Sequence, residues 1–183
     1  MQVDSFVDDS CFGDAFVGNK LARLVDLIVD QGDALLKDAG LCFPSRAAST
    51  ILLIDERVNL SAADIAMELS QPHQLATQRV EALTKLGLLE RRNDPKDARR
   101  KTLSLTTKGK KEAALLKRTL NQAQQAFQNL YKEIEVNLGA VAIQSISALK
   151  KDSLSSRIEA AARAIDAEGP DISDEKKRSS YNV

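Results

Sequence analysis

The sequence predicts a mainly α-helical protein that carries one small β-hairpin. Aromatic residues make up only 4% of the 183 residues and tryptophan is absent. Ala, Leu, Lys, Asp and Glu are common, and this mixture favours helices over an all-β sandwich. Near residue 88 the helical spacing of apolar residues gives way to short, strand-like segments. This change of period predicts the hairpin.

The composition limits the class of protein. With 43% hydrophobic residues, the chain can form one domain of ordinary size or two very small ones. The longest apolar runs, such as Ile51–Ile54, fall far below the roughly 20 residues of a membrane helix. The acidic N-terminus does not resemble a secretory signal, and two cysteines are too few for a disulfide framework. We therefore expect a cytoplasmic protein with no membrane partner.

The basic residues are concentrated in the middle of a chain whose net charge is zero. Residues 57–118 contain fourteen basic and seven acidic residues, whereas residues 1–56 contain four basic and ten acidic ones. Residues 119–183 are nearly balanced, with eight basic and nine acidic residues. Such asymmetry indicates a surface for a polyanion. A chance fluctuation on a solvated surface is the alternative interpretation.

The chain is predicted to form one domain between two irregular ends. Residues 1–16 are acidic and weakly patterned, so we expect a flexible arm. Residues 168–183 are polar and predicted to be disordered. Between them lies a single domain, residues 17–167. Its first helix covers residues 17–38 and ends at Gly40, in a usual position for a C-terminal glycine.

Three further helices and the hairpin follow in order. Pro44 suits the first turn of the second helix. Ser61, with Asp64 three residues on, predicts the N-cap of a short third helix. A turn leads into a fourth helix, residues 73–86, which Gly87 closes. Two strands follow, residues 88–93 and 101–105, joined by a polar, charged turn at 94–100. This layout, over residues 44–107, is that of a winged helix-turn-helix.

A long helix begins near Thr107 and carries a coiled-coil-like apolar stripe. Apolar residues recur every three or four positions from 113 to 134, a break is predicted at 137–139, and one last helix extends to 167. A stripe of this length must be buried, and a chain this size has little spare core to cover it. We therefore expect residues 17–38 and 107–167 to form dimerisation helices. The residues predicted at the dimer interface are Leu116, Leu120, Phe127, Leu130 and Ile158.

The fourth helix has the polarity expected of a DNA-reading helix. Its apolar face should pack inward through Ala76, Val80 and Leu83. Gln can donate to and accept from an adenine edge, and Thr can meet a thymine methyl group or a phosphate. An ordinary solvent-exposed face is the alternative. The polar residues of the opposite face are Gln74, Thr77, Gln78 and Glu81.

The hairpin is strongly basic, which favours entry of an arginine into a narrow minor groove. Asp97 precedes Arg99 by two residues and could orient its guanidinium group by a charge-assisted hydrogen bond. A charged turn that only protects the hairpin edge from aggregation is the alternative. The other basic candidates for DNA contact in and beside the strands are Arg91, Arg92, Arg100 and Lys101.

Three consecutive segments resemble the winged-helix signature of the MarR family of bacterial regulators. They are Leu-Gly-Leu-Leu-Glu-Arg-Arg (86–92), Asp-Pro-Lys-Asp-Ala-Arg-Arg (94–100) and Leu-Ser-Leu-Thr-Thr-Lys-Gly (103–109). The resemblance has no gap from residue 72 to 109. It implies a homodimer whose two winged domains straddle a pseudo-palindromic operator in double-stranded DNA.

The same resemblance assigns roles to individual residues. Asp97 and Arg99 correspond to the wing-tip pair of the family, and Thr77 and Gln78 to its recognition-helix contacts. The family often has Arg where Gln78 stands, and here the neighbouring Arg79 is a further candidate for DNA contact. A second departure is Ala98, where the family frequently has another wing Arg.

The sequence therefore predicts a sequence-specific, DNA-binding transcriptional regulator, and a homodimeric repressor relieved by a small molecule or another signal. The alternative is a winged-helix dimer that binds other proteins without binding DNA. We expect neither an enzyme nor a cofactor, because the sequence offers no catalytic motif and only one histidine, His73. Cys11 and Cys42 could sense redox state, but buried, inert thiols are favoured. Four residues are suggested to line an effector cleft: Phe12, Phe16, Phe43 and Ile51.

Overall fold

The computed structural model describes residues 6–93 and 100–168, without the side chains of Asp9 and Glu168. These residues contain eight α-helices and an antiparallel pair of strands, in agreement with the predicted fold class. The helices are α1 (Phe6–Asp9), α2 (Val17–Asp38), α3 (Ala48–Glu56), α4 (Ala62–Glu68), α5 (His73–Lys85), α6 (Thr107–Glu133), α7 (Leu138–Lys151) and α8 (Leu154–Glu168). The strands are β1 (Leu89–Asn93) and β2 (Lys101–Leu105). Residues Ser45–Ala47 form one turn of 3-10 helix.

The chain divides into two compact units after Gln125. The first unit contains the predicted winged helix-turn-helix, whose helices and hairpin begin and end close to the predicted residues. Gly40 and Gly87 follow α2 and α5 with φ angles of 82° and 70°. These values lie in the left-handed region, which glycine adopts without steric cost. The prediction that Gly40 and Gly87 end these two helices is therefore confirmed.

A continuous hydrophobic core holds the first unit together. The fully buried side chains include Ile51 of α3, Ile65 of α4 and Leu83 of α5. A backbone hydrogen bond from Leu103 of β2 to the carbonyl oxygen of Leu60, 2.8 Å long, joins the hairpin to the segment before α4. The hairpin root is thus tied to the helix-turn-helix by backbone as well as by apolar contacts.

The core also includes Leu116, which corrects one prediction. Leu116 of α6 has none of its surface exposed, and Ala113, one turn earlier, is equally buried. The first part of the apolar stripe of α6 therefore packs within its own chain. Leu116 cannot face a partner subunit, because its side chain is already covered by the core of the first unit.

The second unit differs from the sequence prediction, which expected one last helix. Asp152 adopts an extended conformation between α7 and α8, and the Ser153 hydroxyl accepts a hydrogen bond from the Ser156 amide, 3.2 Å long. A side-chain cap of this kind begins a new helix. The preceding break also lies earlier than predicted: Asn137 caps α7 by accepting from the Ala140 amide at 2.9 Å.

The predicted ends of the chain are described only in part. Within the predicted arm, α1 is followed by turns, and both carboxylate oxygens of Asp8 accept hydrogen bonds from Arg23 of α2, at 2.8 and 2.9 Å. The predicted tail lies almost wholly outside the described residues. In the described ranges, no helix combines the length and the apolar character needed to cross a membrane.

Candidate nucleic-acid interface

Helix α5 has one fully buried face and one polar, exposed face. Ala76, Val80 and Leu83 are at most 1% exposed, because their spacing of three and four residues places them on the same side of the helix. Gln74 and Gln78 are exposed on another side, as the sequence predicts. Their amide groups are therefore free of the core and able to meet a hydrogen-bonding edge.

Thr77 and Arg79 are placed differently from the prediction. Thr77 is half-buried, and its hydroxyl oxygen is buried without a hydrogen-bond partner in the described part of the protein. The guanidinium group of Arg79 donates to the side-chain oxygen of Gln71, in the turn before α5. Arg79 therefore contacts the turn of the helix-turn-helix, and the hydroxyl of Thr77 is withdrawn from the surface.

The two strands of the hairpin bring basic side chains to its outer part. In the antiparallel register Arg91 faces Leu103 and Asn93 faces Lys101, so these four side chains share one face. Leu103 is buried at the root, whereas Arg91 and Lys101 are exposed. The ammonium group of Lys101 donates to the side-chain oxygen of Asn93. The outer half of this face is therefore positively charged.

Arg92 lies on the other face of β1 and is paired within its own strand. Its guanidinium group donates to Glu90, with the Nε atom 3.0 Å from the carboxylate. The hydrogen bond and the positive charge of Arg92 lower the pKa of Glu90. The pair is exposed, and exposed ion pairs contribute little to stability. Arg92 therefore remains accessible to a phosphate.

Arg100, predicted as a DNA contact, is paired with an acidic residue of α4. Its guanidinium nitrogen lies 2.5 Å from a carboxylate oxygen of Asp64. Asp64 also belongs to the predicted capping box of α4, in which it accepts from the Ser61 amide at 2.7 Å and from the Ser61 hydroxyl at 2.6 Å. These hydrogen bonds with Ser61, followed by the contact with Arg100, lower the pKa of Asp64 to about 2. The sequence predicted the Ser61–Asp64 cap. It did not predict that Arg100 also contacts Asp64.

The tip of the hairpin, residues 94–99, lies outside the described residues. The predicted pair of Asp97 and Arg99 falls in this segment, so the orienting role of Asp97 stays a prediction. The described strands end on either side of it, at Asn93 and Lys101. The segment therefore connects the ends of the two strands that carry the basic side chains.

The start of α6 locks the root of the hairpin to the end of α5. The Thr106 hydroxyl donates to the carbonyl oxygen of Gly87 at 2.7 Å and accepts from the Gly109 amide at 3.0 Å. The ammonium group of Lys108 donates to the carbonyl oxygen of Leu86 at 3.0 Å. Two exposed carbonyl groups at the end of α5 are thereby satisfied, as helix C-termini require.

The residues predicted for dimerisation fall into three groups. Leu116 belongs to the core, as described above, and Leu120 is half-buried against that core. Phe127 and Leu130 are half-buried, and the rings of Phe127 and Tyr131 lie 6.1 Å apart. Ile158 of α8 is 59% exposed. Other exposed apolar residues lie on the same two helices of the second unit: Ile143, Ile146, Leu149, Leu154 and Ile165.

The prediction that both thiols are buried is wrong, since Cys11 and Cys42 are exposed. Leu41 and Phe43 are buried in the core, and in an extended segment the residue between them points to the opposite side. The Cys42 sulfur lies 3.2 Å from the Glu112 carboxylate. Desolvation and this hydrogen bond raise the pKa of the Cys42 thiol, which disfavours the reactive thiolate.

The suggested effector cleft does not form from the residues named for it. Phe43 and Ile51 are core residues with 4% and 0% of their surface exposed, whereas Phe12 is 69% exposed. The ring of Phe16 instead contacts that of Phe6 edge-on, with 6.2 Å between the centroids. Phe43 and Ile51 therefore serve packing, and none of these contacts outlines a ligand site.

Comparisons with known proteins agree with the fold. Residues 43–100 match the sequence model of the MarR family. Three solved structures are similar, each at 20% sequence identity. For CouR from Rhodococcus jostii RHA1 bound to p-coumaroyl-CoA, the TM-score is 0.53, with 82% of this chain and 96% of that chain covered. For CouR bound to a 23-mer DNA duplex, the TM-score is 0.56, with 77% of this chain and 94% of that chain covered. For the S. aureus MepR–DNA complex, the TM-score is 0.59, with 73% of this chain and 99% of that chain covered. None of the curated proteins compared with the chain matches it.

Proposed function

We propose that the protein is a sequence-specific DNA-binding transcriptional regulator, since residues 43–100 match the sequence model of the MarR family. The observation that carries this proposal is the two-sided character of α5. Its inner face is closed by Ala76, Val80 and Leu83, while Gln74 and Gln78 remain exposed. In a helix-turn-helix the second helix enters the major groove, where Gln can form a bidentate contact with adenine.

The wing supplies the electrostatic part of the proposed interface. Arg91 and Lys101 project from one face of the hairpin and Arg92 from the other, which suits contacts with phosphates on either side of a groove. Arg99 at the tip is proposed to enter the minor groove. CouR and MepR, which share this fold, have solved structures with bound DNA, which supports the same type of partner for this chain.

The protein is further proposed to act as a homodimer. The second unit leaves large apolar side chains of α7 and α8 exposed, among them Ile143 at 71% and Ile158 at 59%. So many large apolar side chains left exposed on two helices favour an association site. In a two-fold dimer, two copies of α5 would read half-sites about 34 Å apart, one turn of B-DNA.

Repression and its release by a small molecule complete the proposal. CouR is named as a transcriptional repressor, and another structure of CouR contains p-coumaroyl-CoA. These two facts about a similar fold support a repressor with a small-molecule effector. A reporter driven by the bound promoter should be transcribed less when the protein is present. A rise in transcription would instead identify an activator.

Genome-wide capture of DNA fragments by the purified protein tests the proposal most broadly. The captured fragments should share a pseudo-palindrome whose half-sites are centred about 10 base pairs apart. A double variant, Gln74→Ala with Gln78→Ala, is the matched control, because it removes both exposed amides and leaves the buried face intact. It should lose the shared motif. Capture of no motif by the wild type would favour the protein-interaction module.

A further inference from the structure

The hairpin is attached to the helix-turn-helix at two neighbouring points, one in β2 and one just before it. Leu103 of β2 donates its amide to the carbonyl oxygen of Leu60, 2.8 Å away. Three residues earlier, the guanidinium group of Arg100 meets the Asp64 carboxylate at 2.5 Å. Leu60 and Asp64 flank the start of α4, so both attachments end on the same short segment of the chain.

Asp64 is itself held in place, which makes it a firm point of attachment. Its carboxylate accepts from the Ser61 amide and the Ser61 hydroxyl, and its own amide donates to the Ser61 hydroxyl at 3.3 Å. The Asp64 side chain is only 28% exposed, compared with 41% for Arg100. A charge fixed by several hydrogen bonds loses little conformational entropy when it binds a second partner, so the pair with Arg100 is stronger than an isolated surface pair.

We propose that Asp64 and Arg100 are positioning residues that fix the wing relative to the helix-turn-helix, and that Arg100 is an anchor of the wing rather than a phosphate contact. This inference rests on the proposed function, because it assigns the two residues to DNA recognition by the wing. Two other basic side chains of the strands, Arg91 and Lys101, are exposed on the face that also carries the buried Leu103. The anchor sets where those side chains meet the DNA.

The proposal and simple electrostatics predict opposite changes in DNA affinity when the negative charge of Asp64 is removed. Removal of an acidic charge beside a DNA-binding surface should tighten binding, because repulsion from the phosphates is lost. If Asp64 positions the wing, Asp64→Asn should weaken operator binding instead, about fivefold. Arg100→Gln, which leaves the capping box intact, should weaken it by a similar factor. The double variant should be no worse than either single variant, as expected for two residues that act through one interaction.

The dependence of affinity on salt separates an anchor from a phosphate contact. Each phosphate contact contributes about 0.9 to the slope of log K against log salt concentration. Arg100→Gln should weaken binding without changing this slope. Asp55→Asn is the matched control, because Asp55 of α3 forms an ion pair of similar length, 2.8 Å, with Lys117 of α6. It should leave both the affinity and the slope unchanged.

Hydrogen exchange of the Leu103 amide tests the anchor in the free protein, where DNA binding plays no part. Arg100→Gln and Asp64→Asn should each accelerate this exchange about two- to fivefold, and Asp55→Asn should not. Unchanged exchange would overturn the anchor whether or not the protein binds DNA. If the wild type binds no DNA, the proposed function is wrong. The exchange rate of the Leu103 amide still tests whether Asp64 and Arg100 hold the wing. A slope lowered by about 0.9 in Arg100→Gln, with tighter binding by Asp64→Asn, would identify Arg100 as a phosphate contact.

Discussion

A Cβ atom on Gly109 would lie 2.1 Å from the carbonyl oxygen of Leu88. That oxygen also accepts a hydrogen bond from the Thr106 amide at 3.0 Å. The start of α6 therefore lies against the backbone at the root of the hairpin, at a distance that only glycine permits. This contact explains why a glycine follows the Leu-Thr pair of residues 105–106 by three positions.

Replacement of Gly109 by alanine should destabilise the protein, because the added methyl group collides with backbone that cannot rotate away. The free energy of unfolding in urea should fall by about 1–3 kcal/mol, the usual cost of overpacking. Gly18→Ala is the control, since nothing lies within 4 Å of a Cβ atom at this position in α2. There alanine should stabilise by roughly 0.5–1 kcal/mol. Equal effects of the two changes would refute the close contact.

Asp64 should make stability depend on pH in the acid range. Its pKa falls from 3.8 to about 2 on folding, so the folded state prefers the ionised carboxylate. This stabilisation is complete above pH 4 and is lost as the pH falls from 4 to 2. Urea unfolding of Asp64→Asn should show a smaller loss over this range, by about 1 kcal/mol. Asp33, whose pKa is also lowered, should retain its own contribution. If the free energy of unfolding fell with pH in parallel for wild type and variant, Asp64 would not be the source of this pH dependence.

A pair of variants should separate the interface from the core. Ile158 is exposed on α8, so Ile158→Asp should convert the proposed dimer into a folded monomer, measured by sedimentation at micromolar concentration. Leu116 is fully buried, so Leu116→Ala should lower the free energy of unfolding by about 2–5 kcal/mol, the range for leucine cavities. A dimeric Ile158→Asp variant would show that this part of α8 lies outside the interface.

Gln78 should determine base preference rather than overall affinity. It is exposed on α5 beside the buried face, where its amide can contact a base edge. Binding selections with randomised operators should show that Gln78→Ala loses discrimination at one position of each half-site. Each mismatch there should then cost less than the roughly 1–3 kcal/mol typical of a specific contact. Retained discrimination at every position would exclude Gln78 from base recognition.

Local signals in the sequence predicted most of the first unit. The capping box of Ser61 and Asp64 and the glycines after α2 and α5 act within a few residues, so their spacing alone identifies the helix ends. The break between α7 and α8 escaped prediction because the apolar residues on either side, Leu149 and Leu154, read as one helical pattern. Two polar residues, Asp152 and Ser153, end that pattern locally.

The other differences involve contacts between distant parts of the chain. Leu116 and Ile158 both belong to apolar helical stripes, and a stripe does not reveal whether its own core or a partner covers it. Asp64 and Arg100 are 36 residues apart, so nothing in their local sequence announces their pairing. Cys42 was predicted to be buried, but the extended backbone turns its side chain outward between the buried Leu41 and Phe43.

The central claim is that the protein binds operator DNA with its wing, and a titration of wild type and Arg99→Ala at two salt concentrations tests it most directly. Arg99 lies outside the described residues, so this prediction rests on the sequence. Arg99→Ala should weaken binding by roughly 1–3 kcal/mol per site, and the salt slope should fall by about 0.9 per subunit if the guanidinium also meets a phosphate. Arg99→Lys should restore the slope more than the affinity, since lysine keeps the charge and loses the planar fork. Equal affinity and equal slope for wild type and Arg99→Ala would remove the wing from DNA recognition and favour a protein-interaction module.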